Sequence, residues 1–318
     1  MSFSLGQLPL LERISEGENI LLVGAGGGFD IFAGLPLYSH LKSKGKTAHL
    51  ASLSFSELKK ANGYSAQKNI LRVDKGSGGE DHYFPERYLS QWFDSQGEEV
   101  PLYCFSPAGA QPVRSVYQEL IRELELDTIV LVDGGTDSLM RGDEPGLGSP
   151  AEDLASIVAA AGIELPHKFL VILGFGVDAG HGVCHAYVLE AMAELTANGG
   201  YLGGFSLLPG MPELEALRQA VEYVHERMPQ RKSIVMSSVL AAAYGKFGQI
   251  EGLVEEWDER LLINPLMSMY FGFELDAVAE RCLYRDYMEG TYSRWDVNRA
   301  IGNFLYVADS REWKSLPF

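Results

Sequence analysis

The sequence predicts a doubly wound, mainly parallel α/β sheet of Rossmann-like type, with helices on both faces and an irregular C-terminal extension. Three observations carry that expectation. Short apolar runs alternate with stretches of helical periodicity. The runs are apolar at nearly every position, as strands covered on both faces require. Three of them end in clusters of glycine and aspartate, at the place where open α/β sheets bind ligands.

Taken in order, residues 20–23 form the first strand, and glycines end it. Residues 48–53, 102–105, 128–132, 169–173, 201–207 and 233–236 read as further strands. After Pro112, Val113, Val116, Tyr117, Leu120, Ile121 and Leu124 recur at helical spacing. Ser149-Pro150-Ala151-Glu152 combines an N-cap serine, a proline in the first turn and a glutamate at the capping-box position. Leu154, Ile157, Val158 and Ala161 then share a face. Leu214, Leu217, Val221 and Val224 mark another helix after Pro212. Pro36 interrupts the helix expected after the first strand, so that helix is expected to begin near Pro36. The stretch 75–80, rich in glycine, reads as a surface loop. Residues 241–243 and 266–273 fit either helix or strand, and 274–283 and 294–304 read as helical. The whole chain, 1–318, is read as one domain, with 240–318 as an extension packed on the sheet.

Composition narrows the function classes. Hydrophobic residues make up 46% of the 318 and charged residues 22%, enough apolar side chains for a sizeable core. A net charge of −17 repels phosphate backbones and anionic lipid, so neither nucleic acid nor membrane is expected as a partner. A small anion held by backbone N–H groups stays compatible with it. Cys104, Cys184 and Cys282 form no CxxC pair and are odd in number, which suits reduced thiols and a cytoplasmic location. Residues 1–18 carry three glutamates and no long apolar run, so they read as no signal peptide. The expected partner is a small-molecule ligand, anionic or hydroxylated, and homo-oligomerisation is left open.

The chemistry gathers at three strand ends. The first is Gly24-Ala25-Gly26-Gly27-Gly28-Phe29-Asp30. Its glycines let a ligand approach the backbone, and a following helix would offer free N–H groups to an anion. Gly24, Gly26, Gly27, Gly28 and Asp30 are candidate binding residues. The loop departs from the dinucleotide fingerprint G-x-G-x-x-G, because the third glycine falls one residue early and no acidic residue ends the second strand. The second is Asp133-Gly134-Gly135-Thr136-Asp137, followed by Arg141. Asp133 and Asp137 suit a divalent ion, sugar hydroxyls or a nucleophilic water. Thr136 is a candidate nucleophile, and Gly134, Gly135 and Arg141 are candidate ligand contacts. The third runs from Gly174 to Asp178 and His181, with His185 behind. Asp178, His181 and His185 fit an acid/base or metal group, the two histidines sharing a face if helical.

These three segments together resemble the bacterial and archaeal family called domain of unknown function 1152, the stretch from Val132 to Glu144 being the most distinctive. The resemblance implies one α/β domain with one functional rim. It implies no catalytic assignment. Gly135-Thr136-Asp137 is also similar to a short segment of L-asparaginases, but the first loop has no threonine, which in that family supplies the nucleophile.

The sequence therefore favours an enzyme, a hydrolase or transferase, acting on a small polar or anionic metabolite. Catalysis is assigned to Asp133, Asp137, Thr136, Asp178, His181 and His185, and no cofactor or metal is named. The alternatives are a nucleotide- or sugar-sensing module without chemistry and a divergent NAD(P)-dependent oxidoreductase.

Overall fold

The computed structural model describes residues 4–250, 253 and 261–315. Residues 1–3, the start of the stretch read as no signal peptide, lie outside them. The elements run α1 (Pro9–Ile14), β1 (Asn19–Gly24), α2 (Asp30–Ser43), β2 (Thr47–Leu53), β3 (Leu71–Val73), α3 (Pro85–Ser95), β4 (Leu102–Phe105) and α4 (Ala110–Leu124). They continue with β5 (Thr128–Asp133), α5 (Pro150–Ala161), β6 (His167–Leu173), α6 (His185–Ala197), β7 (Tyr201–Ser206), α7 (Pro212–Arg227) and α8 (Ile234–Ala243). Last come β8 (Met269–Glu274), α9 (Leu275–Arg281), α10 (Arg285–Met288) and α11 (Arg294–Val307).

Eight strands form one sheet in the order β3-β4-β2-β1-β5-β6-β8-β7. The five from β4 to β6 are parallel neighbours. β3 pairs antiparallel with β4 at one edge, and β8 pairs antiparallel with both β6 and β7. Both faces are covered. Leu21, Val23, Ile129 and Leu131 point into a core shared with α4, α5, α6, α9 and α11. Ile20, Leu22, Val130 and Val132 point into the opposite core, shared with α1, α2, α3, α7 and α8. That strict alternation, apolar on each side, is why these strands read as unbroken hydrophobic runs.

Three expectations are corrected. The helix after β1 does not wait for Pro36. It begins at Asp30 and passes through the proline. The Tyr270 hydroxyl, fully buried on β8, donates to the Ala33 carbonyl at 2.5 Å, in the helical turn that the proline ring disturbs. Residues 233–236 are no strand. Ser233 caps α8, its Oγ accepting from the Met236 N–H at 3.1 Å. Finally, residues 240–318 do not merely pack on the sheet, because β8 lies within it, hydrogen-bonded between β6 and β7.

Strand order reverses between β1 and β5. The chain leaves β1 toward β2 and β4, then returns to place β5 on the other side of β1. The loops after β1 and β5 therefore lead away in opposite directions at the carboxyl ends of the strands, the place where α/β sheets of this kind form their ligand crevice.

Candidate functional site: a carboxylate cluster at the strand switch

Five aspartates gather at this crevice: Asp30, Asp133, Asp137, Asp153 and Asp178. Asp133, Asp137, Asp153 and Asp178 are buried, and Asp30 is half-buried. One oxygen each from Asp30, Asp133 and Asp153 lies within 4.8 Å of the other two. Asp30 joins the two diverging loops, its Oδ2 accepting from the Gly26 N–H at 2.7 Å and its Oδ1 from the Gly134 N–H at 3.2 Å. Asp133 Oδ2 accepts from the Ser138 hydroxyl at 2.5 Å. Asp178 Oδ2 accepts from the Thr136 N–H at 2.7 Å and lies 3.3 Å from its hydroxyl. Asp137 Oδ2 takes the Ser149 N–H at 2.8 Å and the Ser149 hydroxyl at 3.0 Å.

The glycines make room for these oxygens. A β-carbon at Gly135 would stand 2.7 Å from Asp178 Oδ2 and 3.1 Å from Asp133 Oδ1. Gly27 and Gly28 serve a different purpose. Their φ values of +97° and +63° turn the chain from β1 into α2 through the left-handed region.

The electrostatics are severe. Two ionised carboxylates about 4.8 Å apart repel by roughly 3 kcal/mol at an effective dielectric of about 20. Among the described residues no lysine, arginine or histidine nitrogen pairs with any of the five. The arginines nearest in sequence pair elsewhere, Arg141 with Asp143 and Glu194 and Arg294 with Glu152. Burial, opposed by the Gly26 N–H and reinforced by the charge of Asp137, pushes Asp30 up to about 7. Burial and then the charge of Asp137 hold Asp133, Asp153 and Asp178 well above the usual carboxylate range. A carboxyl shifted upward in this way holds its proton more tightly than an ordinary one, the condition in which it can serve as a general acid.

Of the residues singled out in the sequence, Gly24, Gly26, Gly27, Gly28, Asp30, Asp133, Gly134, Gly135, Thr136, Asp137 and Asp178 come together here. Thr136 is fully buried with Asp178 as its acceptor. Arg141 is held by Asp143 at 2.9 and 3.0 Å, in a network with Glu194. The helical face expected to unite His181 and His185 does not form. His181 ends a 3-10 turn, Gly182 at φ +87° breaks the chain, and His185 opens α6. His181 is exposed, while the His185 ring packs on Phe175 with centroids 5.3 Å apart, and burial lowers its pKa.

Four further residues belong to the site. Asp153 follows the segment read as a capping box, but Ser149 makes no side-chain cap bond because Asp137 takes its hydroxyl. Asp153 lies four residues before Ile157, in register with the buried face of α5. Phe55 lies against Gly27, whose β-carbon would meet its ring at 2.7 Å, and the Tyr83 hydroxyl lies 3.1 Å from the same position on Gly28. Arg231 is exposed and close enough to oppose the rise that burial imposes on the Tyr83 pKa. On the far side of Ser149, a cavity of about 500 Å³ is lined by Gly148, Ser149, Glu152 and Arg294 among others.

Fold and site together define a doubly wound α/β protein with a buried carboxylate cluster at its strand switch. The family model described as "Protein of unknown function (DUF1152)" matches residues 69–309, most of the chain. The chain belongs to that family. The matched span contains Asp133, Asp137, Asp153 and Asp178 but begins after the glycine loop and Asp30. No curated protein and no solved structure matches the chain.

Proposed function

We propose that this protein is an enzyme, a hydrolase or group transferase, acting on a small polar, anionic metabolite in the crevice between β1 and β5. The observation that carries the reading is the cluster of five carboxylates at the strand ends, four of them buried. Burying such charge opposes folding, and perturbed carboxyls in a cleft are a recurring feature of catalytic sites. Carboxyls held neutral by burial can act as acids, and an ionised neighbour can act as base. Arg231 and the Tyr83 hydroxyl supply complement for an anion at the same rim. A redox role with a dinucleotide is disfavoured, since β2 runs out through Leu53-Ser54-Phe55 without a carboxylate for ribose.

The test is metabolite consumption. The purified chain is incubated with a small-molecule extract, and depleted and newly formed masses are followed. Loss of specific anionic metabolites is expected with the wild type. Asp137→Asn should lower turnover by about 100-fold or more, with the fold kept because the amide oxygen can still accept from Ser149. Turnover unchanged in Asp137→Asn removes the acid/base part of the reading. Saturable ligand binding with no product points instead to a sensing module.

A further inference from the structure

We propose that Asp30, Asp133 and Asp153 bind one divalent cation of the hard, oxygen-preferring class, with Mg²⁺ or Mn²⁺ as the fitting ions. The proposal deepens the enzyme reading of the crevice and rests on it for its catalytic meaning, but binding of the cation is measurable without any substrate.

Three observations converge. The three carboxylates come from separate elements, the start of α2, the end of β5 and the first turn of α5, yet their oxygens meet within 4.8 Å. Asp153 is 4% exposed, and its Oδ1 is buried with no hydrogen-bond partner among the described residues. That oxygen is aimed into the cluster. The position a β-carbon would take on Gly26 lies 2.4 Å from Asp153 Oδ1 and 2.8 Å from Asp30 Oδ2, so a residue without a side chain borders the space between them. A buried carboxylate oxygen without a donor is costly, and among the described residues no lysine, arginine or histidine pairs with it.

The donor set selects the class of ion. All three groups are carboxylates, which suit Mg²⁺ and Mn²⁺ more than the nitrogen and sulfur sets favoured by Zn²⁺. His181 and His185 lie outside the trio. Mg²⁺ typically takes only a few carboxylates and completes its shell with water and an anionic substrate. When bound, the cation would neutralise charge on an anionic substrate and polarise its oxygen. The protein's own part is to hold the three oxygens in place, Asp30 through the Gly26 and Gly134 N–H groups and Asp133 through Ser138.

The experiment is a Mn²⁺ titration of the chelator-treated full chain, read by electron paramagnetic resonance and by thermal shift. Saturable one-to-one binding, displaced by Mg²⁺ and raising Tm, is expected. Asp153→Asn keeps the shape of the side chain and removes one carboxyl from a crowded acidic cluster, so it should keep the fold and Tm of the cation-free chain while weakening Mn²⁺ by about tenfold or more. The exposed Asp286→Asn should leave binding unchanged. If Asp153→Asn fails to fold, the half-buried Asp30→Asn carries the same test. No saturable binding by the folded wild type, or full-strength binding by Asp153→Asn, overturns the proposal. Binding without turnover on any metabolite leaves the cation site standing and removes the enzyme reading. Turnover that persists in chelator leaves the enzyme reading standing and removes the cation's part in it.

Discussion

At Gly26 a β-carbon would crowd two carboxylates at once, yet its φ lies outside the left-handed region, so the backbone accepts alanine there. Gly27 and Gly28, one and two residues on, have positive φ and would strain any side chain. Gly26→Ala therefore separates the space in the site from the conformation of the loop. The variant is expected to fold with a stability loss of about 1 kcal/mol, and to lose both turnover and Mn²⁺ binding by about tenfold or more. Thermal melts and the Mn²⁺ titration measure the two effects. Retained binding would place the site away from Gly26. The same residue scale shows what a sequence discloses. Runs such as Asp133-Gly134-Gly135-Thr136-Asp137 stand out because glycine and aspartate rarely close a buried strand together. Asp153 does not stand out, because an acidic residue in a first helical turn already has an ordinary reason to be there. Its burial becomes apparent only once α5 is laid against the sheet.

The elements nearest the site depart most from their local patterns. Pro36 sits inside α2, and Tyr270 on β8 donates to Ala33 three residues before it. The hydroxyl meets a carbonyl in the turn that the proline disturbs, from a strand more than 200 residues away in the chain. Tyr270→Phe removes the hydroxyl that reaches the Ala33 carbonyl and is expected to cost about 1 kcal/mol in chemical denaturation. In a Pro36→Ala background, where the helix can close its own ladder, the same change should cost clearly less. Equal costs in both backgrounds would show that the bond does not compensate the proline. Local sequence reading misses this because it weighs the proline against its chain neighbours alone and does not see a strand that packs on the helix from far along the chain. Residues 233–236 fail for a related reason. Four residues, Ser-Ile-Val-Met, fit a buried strand and a capped helix equally well, and only the continuation through Ala243 decides. The five strands that fill the centre of the sheet, β4, β2, β1, β5 and β6, were legible, since each carries its pattern within itself, whereas the three-residue edge strand β3 was not.

At the scale of the molecule, strand order is the feature that no local pattern carries. β8 pairs with β6 and β7, so a late segment completes a sheet whose other strands all precede it. The two ends of the chain are interlocked at that strand. Gly272 on β8 lies under Leu10 of α1, so close that a β-carbon would stand 2.2 Å from Leu10 Cδ1, and Arg13 pairs with Glu274 at 3.0 Å. Farther along, the Gly109 N–H donates to the Tyr292 carbonyl at 3.1 Å and the Ala110 N–H to the Thr291 hydroxyl at 2.9 Å, tying the start of α4 to the segment before α11. These contacts are the reason to expect β8 and the segment before α11 to unfold together with the rest of the sheet. A chain cut to residues 1–239 would leave β6 with an open edge and β7 without its partner, in a sheet whose faces are already apolar. It is expected to aggregate on expression, and the full chain to unfold in a single thermal transition. Size-exclusion chromatography of the cut chain and calorimetry of the whole one decide the matter. A soluble, monomeric 1–239 fragment with native-like melting would mean that β8 caps the sheet without being needed to build it. The carboxylate cluster, which lies entirely within residues 30–178, would then be expected to bind Mn²⁺ in the fragment as well.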